Sequence, residues 1–228
     1  MMLFDLFLAP FQDFVFMRHA LVACLALALG CAPIGVLLVL RRLSLMGDAL
    51  SHAVLPGAAL GFLVSGLSLY AMTIGGILVG LTVAILAGLV TRFTTLQEDA
   101  SFAALYLISL AVGVLIVSMR GSNIDLIHVL FGTILAVDDA ALILVASITT
   151  VTLVILALVY RPLLVECFDP GFLRSVSGQG TAVHLTFLML VVLTVVANLQ
   201  SLGTLIAVDM MLLPAAAAHS WTRTVPSA

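Results

Sequence analysis

The chain has 228 residues, of which 64% are hydrophobic and 8% are charged, and its mean hydropathy is +1.35. Soluble domains carry about 25% charged residues, so this composition excludes a soluble globular protein and indicates a polytopic protein embedded in membrane lipid. The formal net charge of −3 and the lack of any basic run exclude a nucleic-acid partner.

Seven stretches of the sequence are long and apolar enough to span a bilayer, which takes about 20 helical residues. They are 19–40, 44–66, 69–91, 100–119, 139–160, 181–200 and 203–219. The sequence therefore predicts an all-α integral membrane protein, a polytopic bundle of about seven transmembrane helices. It forms one domain over 1–228, with a membrane-embedded core at 18–219. The phenylalanine-rich stretch before the first span is interpreted as an interfacial segment.

The arginines predict the orientation of the spans. If Arg41 and Arg42 are cytoplasmic, alternation of the spans places six arginines on that side and only Arg18 and Arg120 on the other. This distribution satisfies the positive-inside rule. It predicts a multi-pass protein with its N-terminus outside the cytoplasm, whose chain enters the membrane at about His19.

Two of the connections are longer than turns. Residues 120–138 lie outside and include an apolar stretch too short to span, which favours a surface or re-entrant helix. Residues 161–180 form the longest cytoplasmic segment. Within it, Asp169 and Pro170 are typical of a helix start, and Gly178 is typical of a helix end. Such a short helix would expose apolar side chains, so it either docks on another subunit or lies on lipid headgroups.

Asp48 and His52 interrupt the second span and are the principal candidates for a functional site. An ionisable side chain near the bilayer centre costs about 2.5–3.5 kcal/mol on insertion scales. Four residues apart, the two share one helix face, and His52 lies about 12 Å along a helix that begins near Ser44. A carboxylate with an imidazole suits Zn²⁺, Mn²⁺ or Fe²⁺. The alternative is a buried polar pair in which the two side chains satisfy each other or pair with a neighbouring helix.

Other polar residues give weaker signals. Asp209 is a second intramembrane carboxylate, which either lines the same path or faces a partner subunit. Ser51 flanks the face formed by Asp48 and His52 and is a candidate pathway residue. Asn198 and His184 lie at opposite ends of the sixth span and are assigned to the membrane interface.

The sequence has no motif for catalysis. GxxxxGK[ST] is absent, and the chain has no lysine to complete it. HExxH and GxSxG are absent too. The chain is therefore predicted not to be an enzyme, and any ATP-driven work requires a separate subunit.

Four stretches together resemble the permease subunits of ABC-type zinc and manganese importers, the ABC-3 family. The most specific is "VLRRLSLMGDALSHAVLPGAALGF", which contains Asp48 and His52. "IDLIHVLFGTILAV", "YRPLLVECFDPGFLRSVSG" and "SLGTLIAVDMMLLPAAAA" follow in the same order as in that family. The resemblance runs from about Phe16 to His219, nearly the whole chain.

The resemblance implies a homodimeric pore similar to that of vitamin B12 importers, in a bacterial plasma (inner) membrane. It implies an ABC ATPase at the cytoplasmic face, an extracytoplasmic metal-binding protein, and a transported divalent metal rather than a permanently bound cofactor. Zinc is placed ahead of manganese and iron. Asp48 and His52 would bind the ion, and 161–180 would be the coupling segment. Its contacts with the ATPase would come from Phe168, Asp169, Pro170, Phe172, Leu173 and Arg174.

The chain departs from the family pattern at two places. Asp209 replaces a small or aliphatic residue, and the polar tail at 220–228 stands where family members continue into a further span, which suggests a truncated end. Three other functions stay open. They are a permease of the same architecture for a metal chelate or vitamin, an ion-coupled secondary transporter with a proton relay through Asp48, His52 and Asp209, and a nonfunctional remnant.

Overall fold

The computed structural model describes residues 14–66, 68–94, 97–119, 138–169 and 180–221, and throughout these ranges the regular structure is α-helical. The predicted all-α bundle is confirmed. The helices are α1 (Val15–Leu40), α2 (Ser44–Ser65), α3 (Leu69–Phe93), α4 (Glu98–Met119), α5 (Asp139–Phe168) and α6 (Gly180–Trp221). Six stretches within them, one from each helix, are long and apolar enough to cross a membrane.

The predicted sixth and seventh spans belong to one element, α6, which is broken at Gly203. The backbone there has φ 80° and ψ 175°, which is not helical, and glycine adopts a positive φ without the steric cost that a Cβ would bring. The first part, Gly180–Gly203, is long enough to span. The second contains a shorter apolar helix, Ile206–Ala218, in place of the full span predicted at 203–219.

Helix α5 is longer than the sequence predicts. Residues 161–168 were assigned to a cytoplasmic connection, but they continue the helix through Pro162. Proline removes one intrahelical hydrogen bond. The helix nevertheless continues because the residues beyond the proline pack into the bundle, with Leu163 fully buried and Glu166 nearly so. The remainder of the predicted coupling segment, 170–179, and the predicted outer helix within 120–137 lie outside the described residues.

The helices pack in two groups. Helices α2, α3 and α4 contact one another extensively, as do α1, α5 and α6, and the two groups meet where α6 lies against α2 and α3. Helices α1 and α2 touch little beyond the turn that joins them. The core lies around α6, whose first part is the most buried span.

Glycines allow the close contacts within and between these groups. A Cβ on Gly57 would collide with the Gly75 carbonyl, and a Cβ on Gly75 would collide with that of Gly57. Helices α2 and α3 therefore touch backbone to backbone. The same holds for α1 and α6, where Gly35 lies against the Met211 carbonyl. In a membrane, where lipid removes the hydrophobic drive for helix association, such small residues permit the van der Waals contact that holds helices together.

The turn between α1 and α2 is tight. Arg42 has φ 59°, and the N–H groups of Arg42 and Leu43 donate to the carbonyls of Val39 and Leu38. This is the paired hydrogen-bond pattern of a Schellman motif, with arginine where glycine is usual. Helix α2 begins directly after it at Ser44, so the end of α1 sets the position of α2.

We expect Gly57→Ala to destabilise the folded protein by about 1–3 kcal/mol, because the added methyl must push the α3 backbone away. Gly88→Ala is the matched control, since a Cβ there meets nothing nearer than Leu188 Cδ1 at 3.4 Å, an ordinary contact. Thermal unfolding of both variants in detergent micelles checks the difference. Equal melting temperatures would contradict the close α2–α3 packing.

Candidate functional site

Asp48 and His52 lie on the side of α2 that its neighbours leave uncovered. The opposite side of the helix is buried in the bundle through Ala49, Leu50 and Ala53. The Asp48 side chain is 58% exposed and that of His52 is 28% exposed. The pair is therefore accessible from outside the described part of the chain, although it stands in a membrane-spanning helix.

The two side chains are adjacent but are not joined by a hydrogen bond. His52 Nε2 lies 3.7 Å from Asp48 Oδ1, a separation longer than a hydrogen bond. The carboxylate oxygens and the imidazole nitrogen thus point into the same region, one helical turn apart. Chemically, the arrangement offers a cation oxygen donors from one carboxyl group and a nitrogen donor from one imidazole.

Helix α4 contacts α2 beside the pair through two residues that sequence reasoning missed. The Tyr106 ring lies 6.1 Å from the His52 ring, centroid to centroid, with 32° between their planes. Ser109 Oγ donates a hydrogen bond of 3.0 Å to the Ala53 carbonyl. Tyr106 and Ser109 are three residues apart, a polar stripe in an otherwise apolar span, and that spacing is the signal that could have identified them.

Ser51 and Asp209 are placed apart from the pair. Ser51 is fully buried, and its hydroxyl donates to the Asp48 carbonyl at 2.8 Å. Asp209 is exposed on the second part of α6. Among the described residues, no three His, Cys, Asp or Glu side chains come close enough together to hold a metal ion. Asp209 therefore does not complete the pair within one chain.

The predicted coupling residues begin where α5 ends. Phe168 is the last helical residue and is 68% exposed. Asp169 follows it, and its N–H donates to the Val165 carbonyl at 2.8 Å. The other predicted contacts with the ATPase lie outside the described residues; they are Pro170, Phe172, Leu173 and Arg174.

Arg41, which is predicted with Arg42 to mark the cytoplasmic end of the first span, has a buried side chain. Its side chain is 7% exposed, and its Nη2 lies 3.8 Å from Oε1 of Glu166, which is 2% exposed. Its Nε donates to Cys167 Sγ at 3.4 Å, and its Nη1 lies 3.2 Å from His184 Nδ1. The guanidinium carbon stands 4.3 Å from the centroid of the Phe187 ring, a cation–π contact.

His184 and Asn198, which the sequence assigns to the membrane interface, both have polar partners inside the bundle. His184 contacts Arg41, as above. Asn198 is fully buried in α6, and its Nδ2 donates to Cys31 Sγ at 2.9 Å and to the Thr194 carbonyl at 2.8 Å. Both positions lie near a span end, where sequence alone indicates solvent, but each finds a polar neighbour on α1 because α1 packs along α6.

Comparison with known proteins finds relatives over nearly the whole chain. The manganese import system permease protein ScaB of Streptococcus parasanguinis is 34% identical over 219 residues, which are 96% of this chain and 77% of the relative. The manganese transport system membrane protein MntC of Halalkalibacterium halodurans is 35% identical over 215 residues, 94% of this chain and 72% of the relative. A probable iron transport system membrane protein of Haemophilus influenzae is 32% identical over 222 residues, 97% of this chain and 80% of the relative.

A solved structure has the same fold. PsaBC from Streptococcus pneumoniae, in complex with Fab, superposes with a TM-score of 0.82 at 32% identity, covering 97% of this chain and 78% of that one. The model of the ABC 3 transport family matches residues 13–228. With the multi-pass helical bundle and the signature stretch around Asp48 and His52, these matches show that the chain belongs to the ABC 3 transport family, as a membrane-spanning transporter subunit.

Proposed function

We propose that the chain is the permease subunit of an ATP-driven importer of divalent metal ions, with Mn²⁺ as its cargo. The observation that carries this proposal is the Asp48–His52 pair, in which Asp48 is exposed and His52 partly exposed on a membrane-spanning helix of a chain in a transport family. An ionisable pair in such a position is costly to insert and has a function by default.

The donor atoms suit manganese. Carboxylate oxygen is a preferred ligand of Mn²⁺, and imidazole is compatible with several first-row divalent metals. Thiolate, which would favour softer metals, is not offered near the pair, because the three cysteines lie elsewhere in α1 and at the end of α5. Relatives named for manganese add support. Manganese therefore replaces zinc as the first choice, since the expected preference for zinc finds no support in these relatives.

One chain supplies too few ligands for a complete site. Two side chains leave most positions around a divalent ion to water or to a second subunit. A homodimer with its two-fold axis beside this face of α2 would bring two such pairs together and offer four protein ligands. A site of this kind binds weakly enough to release the ion, which a transport path requires.

The other parts of the importer follow from the same proposal. A separate ATPase docks at the end of the bundle where α5 ends, through the coupling segment that starts at Phe168. An extracytoplasmic binding protein delivers the ion at the opposite end. ATP binding and hydrolysis then expose the two Asp48–His52 pairs to each side of the plasma membrane in turn. A proton relay that includes Asp209 gains no support, because Asp209 does not join the pair.

Asp48→Asn and His52→Ala are each expected to lower the initial rate of Mn²⁺ uptake by at least about 10- to 100-fold, because each removes a proposed ligand and even the loss of an outer-shell partner typically costs that much in metal affinity. The measurement uses cells without other manganese importers that express the chain with its ATPase and binding protein. Asp139→Asn is the matched control, since it neutralises an exposed carboxylate that lies beside His19 on α1. Uptake at the wild-type rate in either Asp48→Asn or His52→Ala would remove the pair from the mechanism.

The choice of metal has its own test. At equal low concentrations of radiolabelled Mn²⁺ and Zn²⁺, supplied separately as free ions, we expect faster accumulation of Mn²⁺. Faster accumulation of Zn²⁺ would contradict the assignment of manganese. Uptake of the chelated metal alone, with none of the free ion, would point to a chelate permease of the same architecture.

A further inference from the structure

Arg41 contacts both sides of the connection between α5 and α6. Glu166 and Cys167 belong to the last turn of α5, directly before that connection. His184 and Phe187 belong to the first turns of α6, directly after it. A single guanidinium therefore contacts the end of α5 and the start of α6, which flank 170–179, the part of the coupling segment that lies outside the described residues.

Arg41 is also tied to the helix that carries the metal pair. It is the C-cap of α1, and the tight turn through Arg42 and Leu43 leads straight into α2. Asp48 lies only one helical turn beyond Ser44, the first residue of α2. The backbone path from the Arg41 side chain to the metal pair is thus short and held by hydrogen bonds at its turn.

The contacts made by Arg41 depend on properties that are specific to arginine. The planar guanidinium reaches a carboxylate, a sulfur and an imidazole in three directions and stacks on an aromatic ring, whereas lysine has a compact ammonium that cannot do all of this. A buried charge of this kind is costly unless it is paired, so the cluster has one favoured arrangement. It joins α1, α5 and α6 at the end of the bundle where the ATPase is proposed to bind.

We infer that Arg41 is a positioning residue that fastens both ends of the coupling segment to the start of α2, so that displacement of the segment by the ATPase moves the Asp48–His52 pair. This inference rests on the proposed function. Arg42 provides a natural comparison, because it adjoins Arg41 and carries the same charge but is exposed. If only the positive charge mattered, substitution of either arginine would have the same effect. If the contacts of the side chain matter, only substitution of Arg41 has an effect.

The test uses the complete importer, the chain with its ATPase and binding protein, reconstituted in liposomes. Mn²⁺ uptake and ATP hydrolysis are measured on the same vesicles. We expect Arg41→Gln to lower the number of Mn²⁺ ions moved per ATP hydrolysed at least about tenfold, equivalent to about 1.4 kcal/mol, while hydrolysis continues. Arg42→Gln should leave the ratio unchanged. Arg41→Lys, which keeps the charge, should lower the ratio as Arg41→Gln does.

Thiol labelling provides a second readout that does not depend on metal. A water-soluble maleimide, with the modified sites located by mass spectrometry, should react with Cys167 at least several-fold faster in Arg41→Gln than in wild type, because Arg41 covers its sulfur. Cys31 is fully buried in the core and reports on folding. Labelling of Cys167 without Cys31 shows that the contact between Arg41 and the end of α5 is lost while the bundle stays folded, so that a lower ratio of Mn²⁺ to ATP in Arg41→Gln is not due to unfolding.

Three outcomes would overturn the inference. They are an unchanged ratio of Mn²⁺ to ATP in Arg41→Gln, an equal fall in Arg42→Gln, and unchanged labelling of Cys167. If uptake and hydrolysis fall in proportion, the ratio of Mn²⁺ to ATP is unchanged. A merely structural role would produce this result, so it also overturns the inference. If the wild-type importer hydrolyses ATP without taking up Mn²⁺, the proposed cargo is wrong. The measurement on the wild type alone identifies this case, so it is not confused with failure of the inference about Arg41.

Discussion

Backbone-to-backbone packing of α2 is the constraint on which the site depends. Lipid provides no hydrophobic force between helices, so association relies on close van der Waals contact and on hydrogen bonds. Gly57 and Gly75 allow that contact between α2 and α3, and Gly113 lies against Pro56 to do the same for α4. With α6 also lying against α2, one side of the helix is left uncovered. That side carries Asp48 and His52, so the packing and the placement of the ionisable pair have a common cause.

The structure separates the two tasks that the proposed importer requires. Asp48 and His52 belong to the α2–α3–α4 group, whereas the α5–α6 connection, where the ATPase is proposed to act, belongs to the other group. Arg41 stands at the boundary, with its backbone at the entrance to α2 and its side chain among residues of α5 and α6. A buried guanidinium is an expensive way to hold helices together, and apolar residues often stabilise a fold as well. A role in passing movement from the α5–α6 connection to α2 would account for this cost, because it requires a cluster of fixed geometry.

The sequence predicts six of the spans and singles out Asp48 and His52 because both predictions rest on local patterns. The role of the pair as a metal site stays a prediction. A bilayer requires about 20 apolar residues in succession, and residues four apart share a helix face, so no tertiary information is needed. The end of α5 could not be predicted in this way. Pro162 and Glu166 read as a loop, and only burial against other helices shows why the helix continues. The Arg41 cluster was missed for the same reason, since Arg41 and Cys167 are 126 positions apart and no local pattern connects them.

The short turn after α1 also limits how the two helical groups can move. Leu40 and Ser44 are four residues apart, so their Cα atoms can never separate by more than about 14 Å. The other covalent link between the groups, from Met119 to Asp138, is several times longer in sequence and joins them at the opposite end of the bundle. The turn therefore keeps the two groups close together beside Arg41, whereas the longer link permits a larger separation at the far end. The two ends of the bundle thus differ in how far the helical groups can separate, because one link is short and the other is long.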